Sequence, residues 1–288
     1  MAFITGGAGG VGLGIARALA EAGMRLAMVD VEEDALEVAG RVLAESGADV
    51  STFACDVSEA DSIARAIHEA GEHLGPLHLL VNSAGVAMGG RFQSYSQEDW
   101  QWILGVNLMG VVGAISAFLP QARMHGQGAH IVNVGALSSL WPIPLSSAYN
   151  ASKGAVLALS ESLARELEPE GIGVSIVLPA AVPSGLEESE RNRPDRFGPA
   201  GQSQEHNQAM KARRARPAPQ ALDALIVGKR MVEAVLGNEL FVFTHRDWRG
   251  RLEEKLGALS AGLDGADESP ALAGTVGLGV TEFDKVKD

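Results

Sequence analysis

The chain is poor in several residue types, and each scarcity narrows what it can be. It has one cysteine, Cys55, so neither an internal disulfide nor a cysteine-based zinc cluster can form. Cys55 lies in an apolar stretch that reads as a strand, which marks it as a buried, inert thiol and points to a reducing, cytoplasmic setting. Basic charge is also short: 23 Lys and Arg stand against 36 Asp and Glu, a formal charge of −13. So acidic a surface repels phosphate backbones and anionic headgroups, which argues against nucleic acid or a membrane surface as a partner. There are only two tyrosines, Tyr95 and Tyr149, so any phenol chemistry has two candidates. The histidines show no paired metalloprotease spacing, no Gly-x-Ser-x-Gly elbow follows a strand, and no glycine turn ends in Gly-Lys-Ser or Gly-Lys-Thr. Metal catalysis, a serine-hydrolase triad and nucleoside triphosphate hydrolysis are therefore not expected.

Long hydrophobic runs are nearly absent. The exception, Trp100–Ala122, carries no charge and is long enough to span a bilayer. Gln101, Asn107, Ser116 and Pro120 interrupt it and its flanks, Asp99 and Arg123, show no basic bias, so it reads as a buried or interface helix. The N-terminal MAFITGGAGG lacks the cationic start of a secretory signal and reads as a strand.

What the chain does have is a 46% hydrophobic composition built on Ala, Val, Leu and Ile, with 35 glycines for tight turns and close backbone contacts. Apolar runs of strand length fall at Phe3–Thr5, Leu26–Val29, Ser51–Ala54, Leu77–Asn82, His130–Val134, Val174–Leu178 and Leu240–Thr244. Between them, Gly12–Ala22, Glu32–Glu45, Ser58–Leu74, Ser96–Met124, Tyr149–Glu168 and Pro219–Leu236 carry apolar residues at helical spacing, with Ser58 and Ser96 expected as N-caps. Strands alternating with helices predict an α/β doubly wound fold: a Rossmann-type parallel sheet of about seven strands covered on both faces. One such domain is expected over residues 1–262. Residues 184–216, polar and poor in aliphatics, form a substrate lid, and residues 263–288 are a Gly- and Ala-rich tail.

The first strand runs into Thr5-Gly6-Gly7-Ala8-Gly9-Gly10-Val11-Gly12. Glycines at such a turn let the backbone approach a pyrophosphate, whose charge meets the amides of the following helix N-terminus. Asp30 follows about 20 residues later at the end of the second strand, where a carboxylate can bind both hydroxyls of the adenosine ribose and repel a 2′-phosphate. NAD is thus favoured over NADP. Further on, Tyr149 and Lys153 share one face of a helix. An ammonium beside a phenol favours the phenolate and suits it to proton exchange near neutral pH.

The glycine turn, Asp30, Asp56-Val57, Asn82-Ser83-Ala84-Gly85, Asn107 and Tyr149-x-x-x-Lys153 occur in the order that resembles the short-chain dehydrogenase/reductase family, over roughly residues 2–245. The resemblance implies that Gly6, Gly10, Val11, Gly12, Asp30, Asp56, Val57, Asn82, Ala84 and Gly85 bind the cofactor. It implies Tyr149 as general acid/base, Lys153 on the nicotinamide ribose, and Asn107 holding a proton-relay water. Pro179, Val182 and Ser184 match the segment beside the carboxamide, with Ala180 in place of the family's glycine. A homotetramer or homodimer, and a small-molecule secondary alcohol or ketone as substrate, are implied as well. The loop Glu188–Phe197 and the stretch Phe241–Arg249 look like the branch containing bacterial Cα-dehydrogenases of lignin aryl ethers, which points to a bulky aromatic alcohol.

One departure stands out. The family places a serine, which bonds the substrate oxygen, at the position held here by Ala136. Loss of one such donor typically costs about 10²–10³ in rate. Ser138, two residues on, is expected to supply the hydroxyl if the strand end bends. The alternative is a catalytically silent NAD-binding sensor or interaction protein. In the lid, Arg191, Arg193 and Arg196 either belong to a solvated surface or face an acidic or phenolic substrate.

Overall fold

The structure is a computed structural model, described for residues 1–200 and 221–273. Residues 201–216 of the expected lid, residues 219–220 of the sixth expected helix and residues 274–288 of the tail lie outside the described residues. Seven strands form one parallel sheet: β1 (Ala2–Thr5), β2 (Leu26–Asp30), β3 (Val50–Ala54), β4 (Leu79–Asn82), β5 (Ala129–Val134), β6 (Ile172–Leu178) and β7 (Phe241–Phe243), in the order β3-β2-β1-β4-β5-β6-β7. The chain reverses its winding at β1, so the neighbouring strand ends of β1 and β4 open a crevice, the place where doubly wound sheets bind ligands. Register sets the two facing each other, with Thr5 beside Val29 on one side and Asn82 on the other.

Helices α1 (Gly10–Glu21), α2 (Glu33–Glu45) and α3 (Ala60–Leu74) follow the first three strands. After β4 come α4 (Gln97–Leu104), a π turn (Gly105–Met109) and α5 (Gly110–His125); α6 (Ser147–Leu167) and α7 (Ala224–Leu236) complete the layers. On one face Ile15, Leu19, Leu36, Leu43, Val227 and Met231 pack on Ile4, Met28, Val81, Val132 and Val177 of the sheet. Each such fully buried aliphatic contributes roughly 1.5–3 kcal/mol. Where α1 crosses α7 the backbones touch: a Cβ on Gly14 would lie 2.2 Å from the Ala224 carbonyl oxygen. On the other face α3 packs on α5 and α6 on β6, with Trp102, Ile103, Ala114 and Phe118 fully buried. The apolar stretch Trp100–Ala122 therefore belongs to a layer of this fold, although the continuous helical run Gln97–His125 is long and apolar enough to cross a membrane by composition.

Two local expectations change. Ser96 caps α4 through a full capping box with Asp99, but Ser58 does not cap α3, whose N-cap is Glu59. Ser58 turns back instead, donating to Asp56 Oδ1 from its amide (2.9 Å) and hydroxyl (2.6 Å), because an aspartate two residues earlier offers a nearer partner than the helix amides. The lid residues Gly185–Asn192 and Asp195–Phe197 are short 3₁₀ segments. The described residues up to 245 form one compact unit and those from 246 on form another. The second contains α8 (Arg249–Asp267), which runs through Gly262, the position at which composition set the end of the domain.

Candidate active site

The crevice between β1 and β4 holds a cavity of about 320 Å³. Its floor is the glycine turn. Gly6 and Gly10 adopt positive φ (67° and 51°), and Thr5 Oγ1 accepts the Ser83 and Ala84 amides, each at 3.1 Å, tying the turn to the end of β4. A Cβ on Gly12 would lie 2.0 Å from the Gly6 carbonyl oxygen, and one on Gly6 2.7 Å from the Ala84 backbone, so these glycines permit the close approach. Gly9, the N-cap of α1, is different: a Cβ there would meet nothing within 4 Å. The helix N-terminus thus faces open space suited to a pyrophosphate, and the residues present fit a dinucleotide.

Asp30, on the cavity wall, accepts the Ala8 amide at 3.0 Å and the Glu32 amide at 3.1 Å. Burial pushes its carboxyl above the ordinary range, and these amide bonds offset part of that. Its remaining lone pairs face the cavity side, where a ribose diol would donate. Asp56 and Val57 line the same end, as does Cys55, which is buried with its thiol pushed up by that burial. Gly10, Val11, Ala84, Gly85, Pro179, Val182 and Ser184 complete the expected set on the wall.

At the opposite end Tyr149 and Lys153 share the inner face of α6. Lys153 Nζ donates to the Val134 carbonyl at 2.8 Å and lies 5.9 Å from the Tyr149 ring centre. Burial pushes the Tyr149 phenol up to about 12 and the Lys153 ammonium down to about 8. The lowering of the phenol by its lysine, expected from the sequence, is therefore outweighed here by desolvation, since the ammonium is committed to a carbonyl instead of the phenol oxygen. Tyr95, by contrast, donates to the Met88 carbonyl at 2.9 Å and braces that loop against Trp100.

Three expected residues are not on the cavity wall. Asn82 sits behind it, donating to Asn133 Oδ1 at 2.8 Å and so linking β4 to β5. Asn107 lies in the π turn, where its side chain accepts the Val86 amide (2.8 Å) and donates to the Val86 carbonyl (2.9 Å) and to Ser152 Oγ (3.0 Å). It fixes the loop after β4 against α6. The wall beside Tyr149 is formed by Ala136, while Ser138 is buried in the 3₁₀ turn Leu137–Ser139 with its hydroxyl unpartnered. The strand end does not bulge to carry Ser138 to the wall, because Ser139 Oγ pins the turn by bonding the Ala136 amide (3.3 Å) and the Lys153 carbonyl (2.9 Å).

Sequence reasoning missed the lid's attachments. Arg191 forks onto Glu32 (2.6 and 3.1 Å), Arg196 reaches Asp56 (3.2 Å) and Glu59 (2.8 Å), and Arg193 makes a buried pair with Asp99 at 2.8 Å while lying over Trp102. The three arginines fasten the lid to three different elements. The rest of the wall carries apolar Val86, Trp102, Val106, Ala136, Leu186 and Pro194, with Ser189, whose hydroxyl is already taken up by the Ala87 amide and the Leu186 carbonyl. Of these, Trp102 and Val106 lie in the apolar run read only as helix core.

A doubly wound sheet with a glycine turn at its switch point and an acid at the next strand end defines a nucleotide-binding class of protein. The family model described as short chain dehydrogenase matches residues 1–195. The chain is 36% identical over 202 residues to the C alpha-dehydrogenase of Sphingobium sp. (strain NBRC 103272 / SYK-6), a match covering 70% of this chain and 66%, just under two thirds, of that relative. Among solved structures, a short-chain dehydrogenase/reductase from Burkholderia phymatum in complex with NAD is 33% identical with a TM-score of 0.86, covering 90% of this chain and 94% of that one. A short-chain dehydrogenase from Sphingobium yanoikuyae in complex with NADPH is 25% identical with a TM-score of 0.71, covering 96% and 99%. The chain belongs to the short-chain dehydrogenase family, oxidoreductases acting on CH–OH donors.

Proposed function

We propose that the protein is an NAD-dependent dehydrogenase/reductase that interconverts an uncharged, apolar secondary alcohol and its ketone. The observation that carries this reading is the cavity itself, with Asp30 and the glycine turn at one end and Tyr149 with Lys153 at the other. The bound nicotinamide supplies the hydride acceptor or donor. Gly6, Gly10 and Gly12 shape the pyrophosphate turn, Asp30 binds the adenosine ribose, and Lys153 binds the nicotinamide ribose. Tyr149 exchanges the proton of the carbinol oxygen. A phenol held near 12 is protonated at neutral pH, which suits ketone reduction directly, whereas alcohol oxidation needs the phenolate. Oxidation is therefore expected to speed up as pH rises and reduction to slow.

The apolar wall, together with three lid arginines already paired to acids, supports a neutral substrate over a carboxylate. The bulky aromatic alcohol suggested by the lid resemblance suits Trp102 and Leu186, and the C alpha-dehydrogenase relative supports it. Ser138 is the donor we propose for the substrate oxygen, a role that requires the Leu137–Ser139 turn to open on binding, because its unpartnered hydroxyl is buried off the wall. We further read the protein as a cytoplasmic homodimer or homotetramer, on its lone cysteine and its apolar, half-exposed Gln97–His125 run.

One observation favours a second reading. Ala136 on the wall, with Ser138 off it, is what a silent NAD-binding protein would show. Single-turnover mixing with NAD and a panel of neutral secondary alcohols separates the two: NADH formation supports the enzyme, and NAD binding without NADH across the panel supports the silent protein.

A further inference from the structure

Of Arg191, Arg193 and Arg196, the lid arginines among the described residues, only Arg191 lines the cavity, together with its neighbour Asn192. Both are aimed at one carboxylate. Arg191 donates from Nε to Glu32 Oε2 at 3.1 Å and from its terminal nitrogen to Oε1 at 2.6 Å, and Asn192 Nδ2 adds a third bond to Oε1 at 2.8 Å. Three donors converging on two oxygens make an anion receptor, and the guanidinium fork matches phosphate as well as carboxylate. Arg191 is also held independently of Glu32, donating to the Gly185 carbonyl at 2.9 Å.

The receptor stands next to the carboxylate assigned to the ribose. Glu32 belongs to the turn that follows Asp30, its amide bonds Asp30 Oδ1, and both side chains line the cavity. The ion pair is roughly one third to two fifths exposed (Arg191 43%, Glu32 32%), and surface pairs of this kind contribute little to the stability of a fold. Its place on the cavity wall gives it another use.

We infer that Glu32 is a built-in anion occupying a phosphate-binding site formed by Arg191 and Asn192, and that this occupancy, added to Asp30, turns the protein against a dinucleotide bearing a 2′-phosphate. This rests on the dinucleotide reading of the cavity. Selectivity is then set by two carboxylates with different roles. Asp30 repels the 2′-phosphate where the ribose binds, and Glu32 holds the guanidinium and the amide that would otherwise receive it. Discharging Glu32 frees a receptor that is already in place.

Isothermal titration of NAD and NADP against wild type, Asp30→Ser, Asp30→Ser/Glu32→Gln and Asp30→Ser/Glu32→Gln/Arg191→Met tests this. From Asp30→Ser to the double variant, the ratio of NADP to NAD dissociation constants is expected to fall about tenfold or more, as gain of a charge-assisted hydrogen bond predicts. Adding Arg191→Met is expected to cancel that fall. Glu32→Ala, which also removes the acceptor, has to move the ratio in the same direction as Glu32→Gln. An unchanged ratio on discharging Glu32, or a gain that survives loss of Arg191, overturns the masked site while leaving the NAD preference intact. Wild-type protein that binds NADP as tightly as NAD overturns both.

Discussion

The two ends of the cavity are built on opposite principles. The Asp30 end is polar and tightly specified: Gly6 and Gly12, where a Cβ would clash with backbone, a carboxylate bonded to two amides, and an ion-paired loop. The Tyr149 end is a wall of apolar side chains around one phenol and one ammonium, both driven towards neutrality by burial. A constant ligand needs fixed donors and acceptors at fixed places. A variable substrate needs shape and a proton donor, with little else to recognise.

The sharpest way to break that contrast is at the phenol. Tyr149→Phe is expected to lower turnover about 10²–10⁴-fold with NAD affinity largely kept, read by NADH formation and by titration. Activity within tenfold of wild type would remove Tyr149 from the chemistry. Next comes the lid. Arg193→Met removes the guanidinium paired with the buried Asp99 carboxylate (side chains 4% and 0% exposed), and is expected to cost about 3–5 kcal/mol in denaturant unfolding. Arg123→Ala, which breaks the exposed pair with Glu170, should leave the midpoint unchanged. Ser138→Ala is expected to slow turnover about 10²–10³-fold if its hydroxyl serves the substrate oxygen. Unchanged kinetics would instead leave the Tyr149 end with a single proton-handling group.

A pH effect lies outside both ends. His130 is buried and donates from Nε2 to Ser175 Oγ at 2.8 Å, the hydroxyl proton itself going to the Glu239 carbonyl, and burial pushes its imidazole down to about 4. The unfolded chain takes up a proton near pH 6.5 that the folded chain refuses until about pH 4, so stability falls as pH drops through that window, by about 3 kcal/mol in all. Denaturant midpoints measured from pH 7 to pH 4 in wild type and His130→Asn would show a flatter profile in the variant.

The Asp30 end was legible in the sequence because its signals are local: a glycine turn, an acid one strand later, a pair at helical spacing. All seven strands could be placed on apolar runs for the same reason. The anchoring of the loop after β6 was not legible. Arg191 and Glu32 are 159 positions apart, and nothing along one chain says that they meet. Trp102 and Val106 read as core because a cavity wall and a core face have the same helical pattern. The π turn at Asn107 was hidden as well, since Gly105–Met109 carries no proline or other break that distinguishes it from α-helix. Ser58 shows the limit of a local rule, where Asp56 offered a competing partner at shorter range.

The scarcity of tyrosine has an optical consequence. Burial pushes both phenols, Tyr95 and Tyr149, up to about 12, so the folded chain is dark in tyrosinate absorbance through the neutral and mildly alkaline range. Tyr95 is spent on a carbonyl away from the cavity. Any phenolate band that emerges when nucleotide is added at constant pH therefore reports on Tyr149 alone, which gives a label-free readout of the phenol proposed to move the proton.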